Sequence, residues 1–125
     1  MSAKGKKLWI IPGLKIPMQT TGDEPEFTSH EKIAVLNLNS KEAEIEMFFY
    51  FEDKEPSGPF KIKIKGKRLR KIRFNDLIDP QALELEKNCS CMIRSSVPVI
   101  IQYSKMDTGS RENAQISTIA YPFNL

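Results

Sequence analysis

A chain of 125 residues has the length of a single domain, and its 40% hydrophobic and 28% charged residues are typical of an ordinary globular protein. No apolar run approaches the roughly 20 residues that a membrane-spanning helix needs, so we expect no membrane insertion. The formal net charge of +3 is too small to identify a partner. We expect one domain over residues 1–125, with residues 1–7 as a loose N-terminal tail.

Alternating apolar and polar residues predict a series of short strands separated by turns rich in Pro, Gly, Asn and Asp. The predicted strands cover, in chain order, residues 8–11, 32–38, 43–51, 61–65, 67–75, 90–95, 97–106 and 116–121. About eight short strands with almost no helical pattern predict an all-β fold, an antiparallel β-sandwich. Asp79 as a cap and Pro80 as a first helical residue allow at most one short helical turn near residues 80–87.

Two further features of the pattern bear on strand arrangement. The three consecutive strands between residues 43 and 75 predict an antiparallel meander, in which each strand pairs with the next. Pro98 has no N–H to donate to a ladder, so we expect it at the start of a strand or on an open edge.

One strand carries large aromatic residues on both faces. In the run Phe48–Phe51, successive side chains point to opposite sides of the sheet, so one face can fill the core and the other needs a different cover. A loop of the same chain could supply it, and so could another subunit, because interfaces favour Phe and Tyr. Both explanations remain open at this point.

No constellation of residues indicates catalysis. The single histidine, His30, has Ser29 and Glu31 as neighbours, but adjacent strand residues face opposite ways and cannot form a relay. Cys89 and Cys91 are too close for an unstrained disulfide and lack the spacing and partners of a zinc site. We therefore expect buried thiols in a reducing cytoplasm, and a protein that is not an enzyme and holds no metal or cofactor.

A basic run indicates a possible alternative function. Residues 61–73 contain eight basic residues and no acidic one. The cations that could bind nucleic-acid phosphates from this run are Lys61, Lys63, Lys65, Lys67 and Arg68. Phe74 shares the parity of the core residue Ile72, which leaves no aromatic platform for base stacking. Lysines also protect exposed sheet edges, and a solvated edge is the favoured interpretation.

Short segments in a fixed order link the chain to a known family. They are Trp9, Ser29-His30-Glu31, Leu36-Asn37, Asp53-Lys54-Glu55-Pro56, Gly58-Pro59, Arg73-Phe74-Asn75-Asp76-Leu77, Asp79-Pro80, Ser96-Val97-Pro98, Gln102, Asp107, Glu112-Asn113-Ala114 and Ser117-Thr118-Ile119-Ala120-Tyr121. In this ordered set, which spans nearly the whole chain, the sequence resembles the sensory rhodopsin transducer family.

The resemblance implies a cytoplasmic, non-enzymatic β-sandwich that assembles as a homotetramer. It further implies a signalling module that binds a small polar, sugar-like ligand and relays to a protein partner such as a receptor. DNA binding has also been proposed for the typical family member, and a purely structural oligomeric adaptor is a further alternative.

The matched segments supply candidate ligand-binding residues. A sugar-like ligand needs an aromatic platform and paired polar groups, and Trp9 is the best platform candidate, with a core tryptophan as the favoured alternative. The candidate donors and acceptors are His30, Glu31, Arg73, Asn75, Asp76, Glu112 and Asn113. A structural salt bridge and a turn cap are the alternative roles for the Arg73–Asp76 segment.

Overall fold

The computed structural model describes residues 4–15, 30–74, 77, 87–107 and 114–124, without the side chains of residues 30, 31, 106, 107 and 114–118. The eight strands are β1 Lys6–Lys15, β2 His30–Asn37, β3 Ala43–Phe51, β4 Ser57–Ile64, β5 Arg68–Arg73, β6 Asn88–Asp107, β7 Ala114–Ile119 and β8 Tyr121–Phe123. Every strand pair is antiparallel, which confirms the all-β prediction. Apart from Lys87, the helical turn predicted near residues 80–87 lies outside these ranges.

Strand β6 belongs to two sheets. Its first half pairs with β1 and β3 in sheet I, whose strand order is β4-β3-β6-β1-β8. Its second half pairs with β2 and β7 in sheet II, where β2 also pairs with β5. The two strands predicted at 90–95 and 97–106 are therefore one strand of 20 residues. Pro98 lies inside it, where β6 passes between sheets and neither ladder needs the missing N–H.

The inward faces of both sheets form one core. Ile45, Met47 and Phe49 of β3 are at most 1% exposed, as their alternation predicts. Phe49 contacts Phe60 of β4 and Phe74 beyond β5 edge to face, each at a ring-centroid distance of 5.4 Å. Because Phe74 directly follows β5 of sheet II and the other two rings belong to sheet I, these contacts join the two layers of the sandwich.

The predicted meander is wrong at its third strand. Strand β5 pairs with β2 in sheet II, from Lys32 opposite Arg73 to Asn37 opposite Arg68, instead of with β4. At the turn after β4, Lys67 takes a left-handed φ of 58° and its N–H donates to the Asn39 carbonyl at 3.0 Å. This turn carries the chain across the edge of the sandwich, and alternation within a strand contains no information about its partner.

Buried Asn37 holds this crossing in place. Its Nδ2 donates to the carbonyls of Lys41 at 2.9 Å and Ile64 at 3.2 Å, and its Oδ1 accepts from the Asn39 N–H at 3.0 Å. The end of β2, the β2–β3 turn and the end of β4 are thereby tied to one side chain.

Both chain ends differ from the expectation. Lys6 and Lys7, predicted to lie in a loose tail, belong to β1, and Lys6 is opposite Val99. The last predicted strand is divided at Ala120, which is buried and donates its N–H to the Ile101 carbonyl at 3.2 Å. The chain crosses there from β7 in sheet II to β8 in sheet I.

Candidate functional site: a cleft at one end of the sandwich

A cleft of about 780 Å³ opens where strand ends from the two sheets converge. It is lined by the end of β1, the end of β3, the start of β6 and two later residues of β6. The lining residues are Pro12, Gly13, Leu14, Lys15, Tyr50, Phe51, Glu52, Asn88, Cys89, Ser90, Tyr103 and Lys105. Since residues 88–90 pair within sheet I and residues 103–105 within sheet II, both layers contribute walls.

An irregularity in β1 shapes one wall of the cleft. The register against β6 shifts between Ile11 and Leu14, a stretch that contains Pro12 and Gly13. Pro12 cannot donate to the ladder and a bulge accommodates it. The Ser90 hydroxyl donates to the Pro12 carbonyl at 2.8 Å, which fixes the bulge against the start of β6.

The cleft combines polar groups with aromatic surfaces. The Asn88 amide donates to the Glu52 carboxylate at 3.0 Å, and the ammonium-bearing side chains of Lys15 and Lys105 line the same space. Tyr50 is 41% exposed and Phe51 is half-buried, with the Lys54 Nζ 4.4 Å from the centroid of its ring. Such walls can bond hydroxyls, stack against the apolar face of a ring and balance a negative charge.

An ion pair lies next to the cleft on the surface. Lys87 Nζ and Asp53 Oδ2 are 2.9 Å apart, and both side chains are exposed. The hydrogen bond from Lys87, reinforced by its charge, holds the pKa of Asp53 below its usual value. The pair links the loop after β3 to the residue that precedes β6.

Cys89, which lines the cleft, and Cys91, two positions further along β6, are buried thiols, as predicted. Burial, with a smaller contribution from Cys89, raises the pKa of the Cys91 thiol well above its usual value. Cys91 is therefore a neutral, apolar group at pH 7, not an activated nucleophile. Within the described residues, no group of three His, Cys, Asp or Glu side chains could hold a metal ion.

Trp9 lies in the core. It is 3% exposed, and its indole N–H donates to the carbonyls of Lys6 at 3.0 Å and Val99 at 3.2 Å. These bonds place it beside the corner of β6. Of the two roles considered for Trp9, this arrangement has the features of the core residue.

Several of the other candidate residues begin or end strands at the end of sheet II that contributes Lys105 to the cleft. The backbones of His30 and Glu31 start β2, opposite Met106 and Lys105, and Arg73 ends β5 opposite Lys32. Arg73 Nε is buried and has no hydrogen-bond partner within the described part of the chain. The remaining candidates, Asn75, Asp76, Glu112 and Asn113, lie outside the described residues.

The structure does not bring Trp9 to this end of sheet II. Val99, which accepts from Trp9, and Met106, opposite His30, are seven positions apart on β6, about 23 Å along an extended strand. The backbone of Glu31, in contrast, is directly opposite Lys105, a wall residue of the cleft. Tyr50, Glu52, Asn88, Tyr103 and Lys105 were not among the sequence candidates, because only the sheet topology makes these strand ends converge.

The basic residues of the alternative nucleic-acid site are exposed but do not form one uninterrupted surface. Lys61 is directly opposite Glu46, and Lys63 is directly opposite Glu44, in the β3–β4 ladder. Cross-strand neighbours of opposite charge offset each other in the field that a polyanion would meet. Arg70 of β5 is also engaged, because its Nη1 donates to the Lys63 carbonyl at 3.0 Å and closes the edge between the sheets.

Comparison with known proteins gives concordant results. The chain matches a family model over residues 4–122, and that family is described as Anabaena sensory rhodopsin transducer. The solved structure of the Anabaena sensory rhodopsin transducer is similar at 35% identity and a TM-score of 0.74, over 82% of this chain and 99% of that one. A crystal structure of Thermotoga maritima 1070 is similar at 28% identity and a TM-score of 0.84, over 98% of both chains. Among curated proteins, no match is found.

Proposed function

The chain belongs to the Anabaena sensory rhodopsin transducer family, and from that premise we propose that it is a non-enzymatic signalling module of the cytoplasm. In this proposal it binds a small polar, sugar-like ligand in the cleft and relays the bound state to a protein partner. None of the elements formed by the described residues is a helix long and apolar enough to cross a membrane.

The observation that carries the proposal is the composition of the cleft. Tyr50 and Phe51, which leave β3 on opposite sides, both supply aromatic surface to the cleft, and the Asn88–Glu52 pair supplies a donor and acceptors. Sugars require this combination, because their ring faces are apolar and each buried hydroxyl needs a partner. The proposed ligand class therefore follows from the walls of the cleft and no longer needs Trp9.

The location of the cleft supports a relay. Its walls come from both sheets, so a ligand bound between Asn88 and Tyr103 would contact both layers at once. A ligand can shift a conformational equilibrium only through contacts that differ between the two states, and an opening between two layers offers such contacts. The partner would be the receptor or another protein that recognises the shifted state.

We further propose self-association, as a homotetramer, through the outer face of sheet I. Phe48, Met92, Ile10 and Tyr121 lie opposite one another in register and form an apolar row across four strands. Tyr121 is 63% exposed, and Phe123, in the neighbouring position of that face, is 43% exposed. A row of this kind supports the second of the two covers considered for the aromatic strand, another subunit.

A thermal-shift screen of the purified protein against sugars, sugar acids and sugar phosphates tests ligand binding. A ligand present at a hundred times its Kd would raise the Tm by roughly 8–10 °C. The shift should disappear in Asn88→Ala and Glu52→Gln and persist in the matched surface variant Glu46→Gln. If the shift is lost in His30→Ala or Arg73→Ala but persists in Asn88→Ala, the ligand binds beside His30 and Arg73 instead of in the cleft.

Two other outcomes would replace the proposal. If no compound shifts the Tm but DNA binds in a salt-dependent way that Lys61→Glu and Lys63→Glu abolish, the protein is a nucleic-acid-binding regulator. If neither ligand nor DNA binds, and the protein only assembles and captures a protein partner, it is an oligomeric adaptor.

A further inference from the structure

The outer face of sheet II carries a second apolar surface, separate from the cleft. Leu69 of β5 is opposite Leu36 of β2, which is in turn opposite Ile100 of β6. Leu38 follows two positions after Leu36 on the same side. These four residues, the leucine patch, include two of the most exposed aliphatic side chains of the fold, Leu69 at 57% and Leu38 at 37%.

Cations adjoin the leucine patch. Lys71 is two positions beyond Leu69 on the same face of β5 and is exposed. Lys32 and Arg73 are directly opposite each other in the next row of that face. The outward side chains that the structure describes on sheet II are Lys32, Ala34, Leu36, Leu38, Leu69, Lys71, Arg73, Ile100, Gln102, Ser104 and Ile119. This set contains three cations and no carboxylate.

The outer face of sheet I has a different charge pattern. Glu44 and Glu46 alternate there with Lys63 and Lys61, and Arg94 is opposite Glu46. A second copy of the chain can meet such a mixed face with opposite charges in contact. On sheet II, self-pairing would set like charges together with no carboxylate among the described outward side chains to separate them, which disfavours a second copy as the occupant.

The combination of groups distinguishes the remaining anionic partners. A nucleic acid would contact the cations but would leave Leu69 and Leu38 without a function, and the outward side chains described on this face include no aromatic ring for stacking on bases. A bilayer that contains anionic lipids meets both needs, because its headgroups attract Lys and Arg and the layer below them accepts aliphatic side chains. A sheet face is also broad enough for several residues to reach a membrane surface together.

We propose that the outer face of sheet II docks on the surface of an anionic lipid bilayer. The exposed Lys71 lies at the headgroups, with the partly buried Lys32 and Arg73 beside it, and Leu69 and Leu38 enter the interfacial zone. The cleft and the apolar row of sheet I then remain available to ligand and to other copies. Docking of this face is peripheral and salt-dependent, since it rests on surface side chains and charge supplies part of the affinity.

Co-sedimentation of the whole chain with vesicles tests the proposal. We expect binding to phosphatidylcholine vesicles that contain about 30% phosphatidylglycerol, little binding to pure phosphatidylcholine, and release at high salt. Lys71→Glu should weaken binding by more than about fivefold, the effect of one cation near an anionic surface. Leu69→Ser, which leaves the net charge unchanged, should weaken it by a similar factor.

A matched variant on the other face serves as the control. Lys63→Glu makes the same charge change on sheet I and should bind vesicles like the wild type. Circular dichroism confirms that each variant is folded. If Lys63→Glu and Lys71→Glu lose vesicle binding equally, only the net charge of the protein matters and the proposal is overturned.

Three further results would contradict docking on lipid. Equal binding to neutral and anionic vesicles would remove the role of the cations. Salt-sensitive binding of duplex DNA by the same face, without vesicle binding, would make nucleic acid the partner. A change in sedimentation coefficient in Leu69→Ser, again without vesicle binding, would make the leucine patch a contact between copies of the chain.

Discussion

Phe49 of β3 and Phe74 beyond β5 meet edge to face, with ring centroids 5.4 Å apart and ring planes at 86°. Both side chains are fully buried. Since Phe49 belongs to sheet I and Phe74 directly follows β5 of sheet II, this contact spans the interior of the sandwich between segments that share no ladder.

We predict that Phe49→Ala and Phe74→Ala each lower the free energy of unfolding by about 3–5 kcal/mol, because each leaves a cavity in the core. The double variant should show a coupling of about 0.5–1.5 kcal/mol from the lost edge-to-face contact. Urea denaturation of the four proteins provides the cycle. Purely additive losses would mean that the rings act only through the area they bury.

Asn37→Ala should cost about 2–4 kcal/mol of unfolding free energy. The substitution leaves the carbonyls of Lys41 and Ile64 and the N–H of Asn39 without the partner they have in the folded protein. Gln102→Ala, an exposed polar-to-alanine change on the paired strand β6, is the control and should change the free energy by less than about 0.5 kcal/mol. A similar small change for Asn37→Ala would show that water replaces its bonds.

Gly66→Ala should destabilise the fold by about 1–3 kcal/mol, because a Cβ at this position would overlap the backbone of Ser40 and Asn39. Gly13→Ala is the matched control, since a Cβ there would meet no atom within 4 Å. Thermal unfolding of both variants distinguishes them. Equal Tm values would show that the turn moves away from Ser40 at little cost.

The free energy of unfolding should fall as the pH rises above the usual pKa of a thiol. Burial raises the pKa of Cys91 in the folded state, whereas the unfolded chain ionises at roughly 8.5. Above that pH the unfolded state loses a proton that the folded state keeps. The free energy of unfolding therefore falls by about 1.4 kcal/mol per pH unit until the pH reaches the pKa of Cys91 in the folded state. Cys91→Ala should flatten this slope between pH 8.5 and 10, and an unchanged slope would assign it to other groups.

Tyr121→Asp should weaken self-association by about tenfold or more, because it places a charge in the apolar row of sheet I. Ile119→Asp is a close control, since Ile119 is 60% exposed against 63% for Tyr121 but belongs to β7 in sheet II. Sedimentation velocity measures the oligomer in each case. If Ile119→Asp dissociates the oligomer and Tyr121→Asp does not, the self-association surface is on sheet II.

Local patterns in the sequence predict strands well but not their partners. The alternation of β3 places Ile45, Met47 and Phe49 in the core, and the same rule assigns Ile72 and Phe74 to it correctly. Nothing in β5 indicates that it pairs with β2 instead of β4, because an amphipathic strand fits either ladder. Strand β6 was predicted as two strands that meet near Pro98, because a residue without an N–H suits the end of a strand as well as a corner between sheets.

The candidate site was predictable only in part. His30, Glu31 and Arg73 are drawn from separate segments and do begin or end strands at the same end of sheet II. The cleft could not be predicted because Asn88 and Lys105 are far apart along one strand. They line the same cavity only because that strand pairs within both sheets. Trp9, in contrast, was a candidate but lies in the core, since a lone tryptophan has the same sequence signature in a core as at a binding surface.

The sharing of β6 has a consequence for the way this molecule can come apart. The strand is hydrogen-bonded on both sides in each layer, so neither layer can peel away as an autonomous foldon without also breaking ladders of the other. Amides of β6 should accordingly be among the last to exchange with solvent deuterons. Cleavage between Ser95 and Val99 would separate the half of β6 that pairs in sheet I from the half that pairs in sheet II, and among the described strands the second fragment would be held by its ladders with β2 and β1 and by the core.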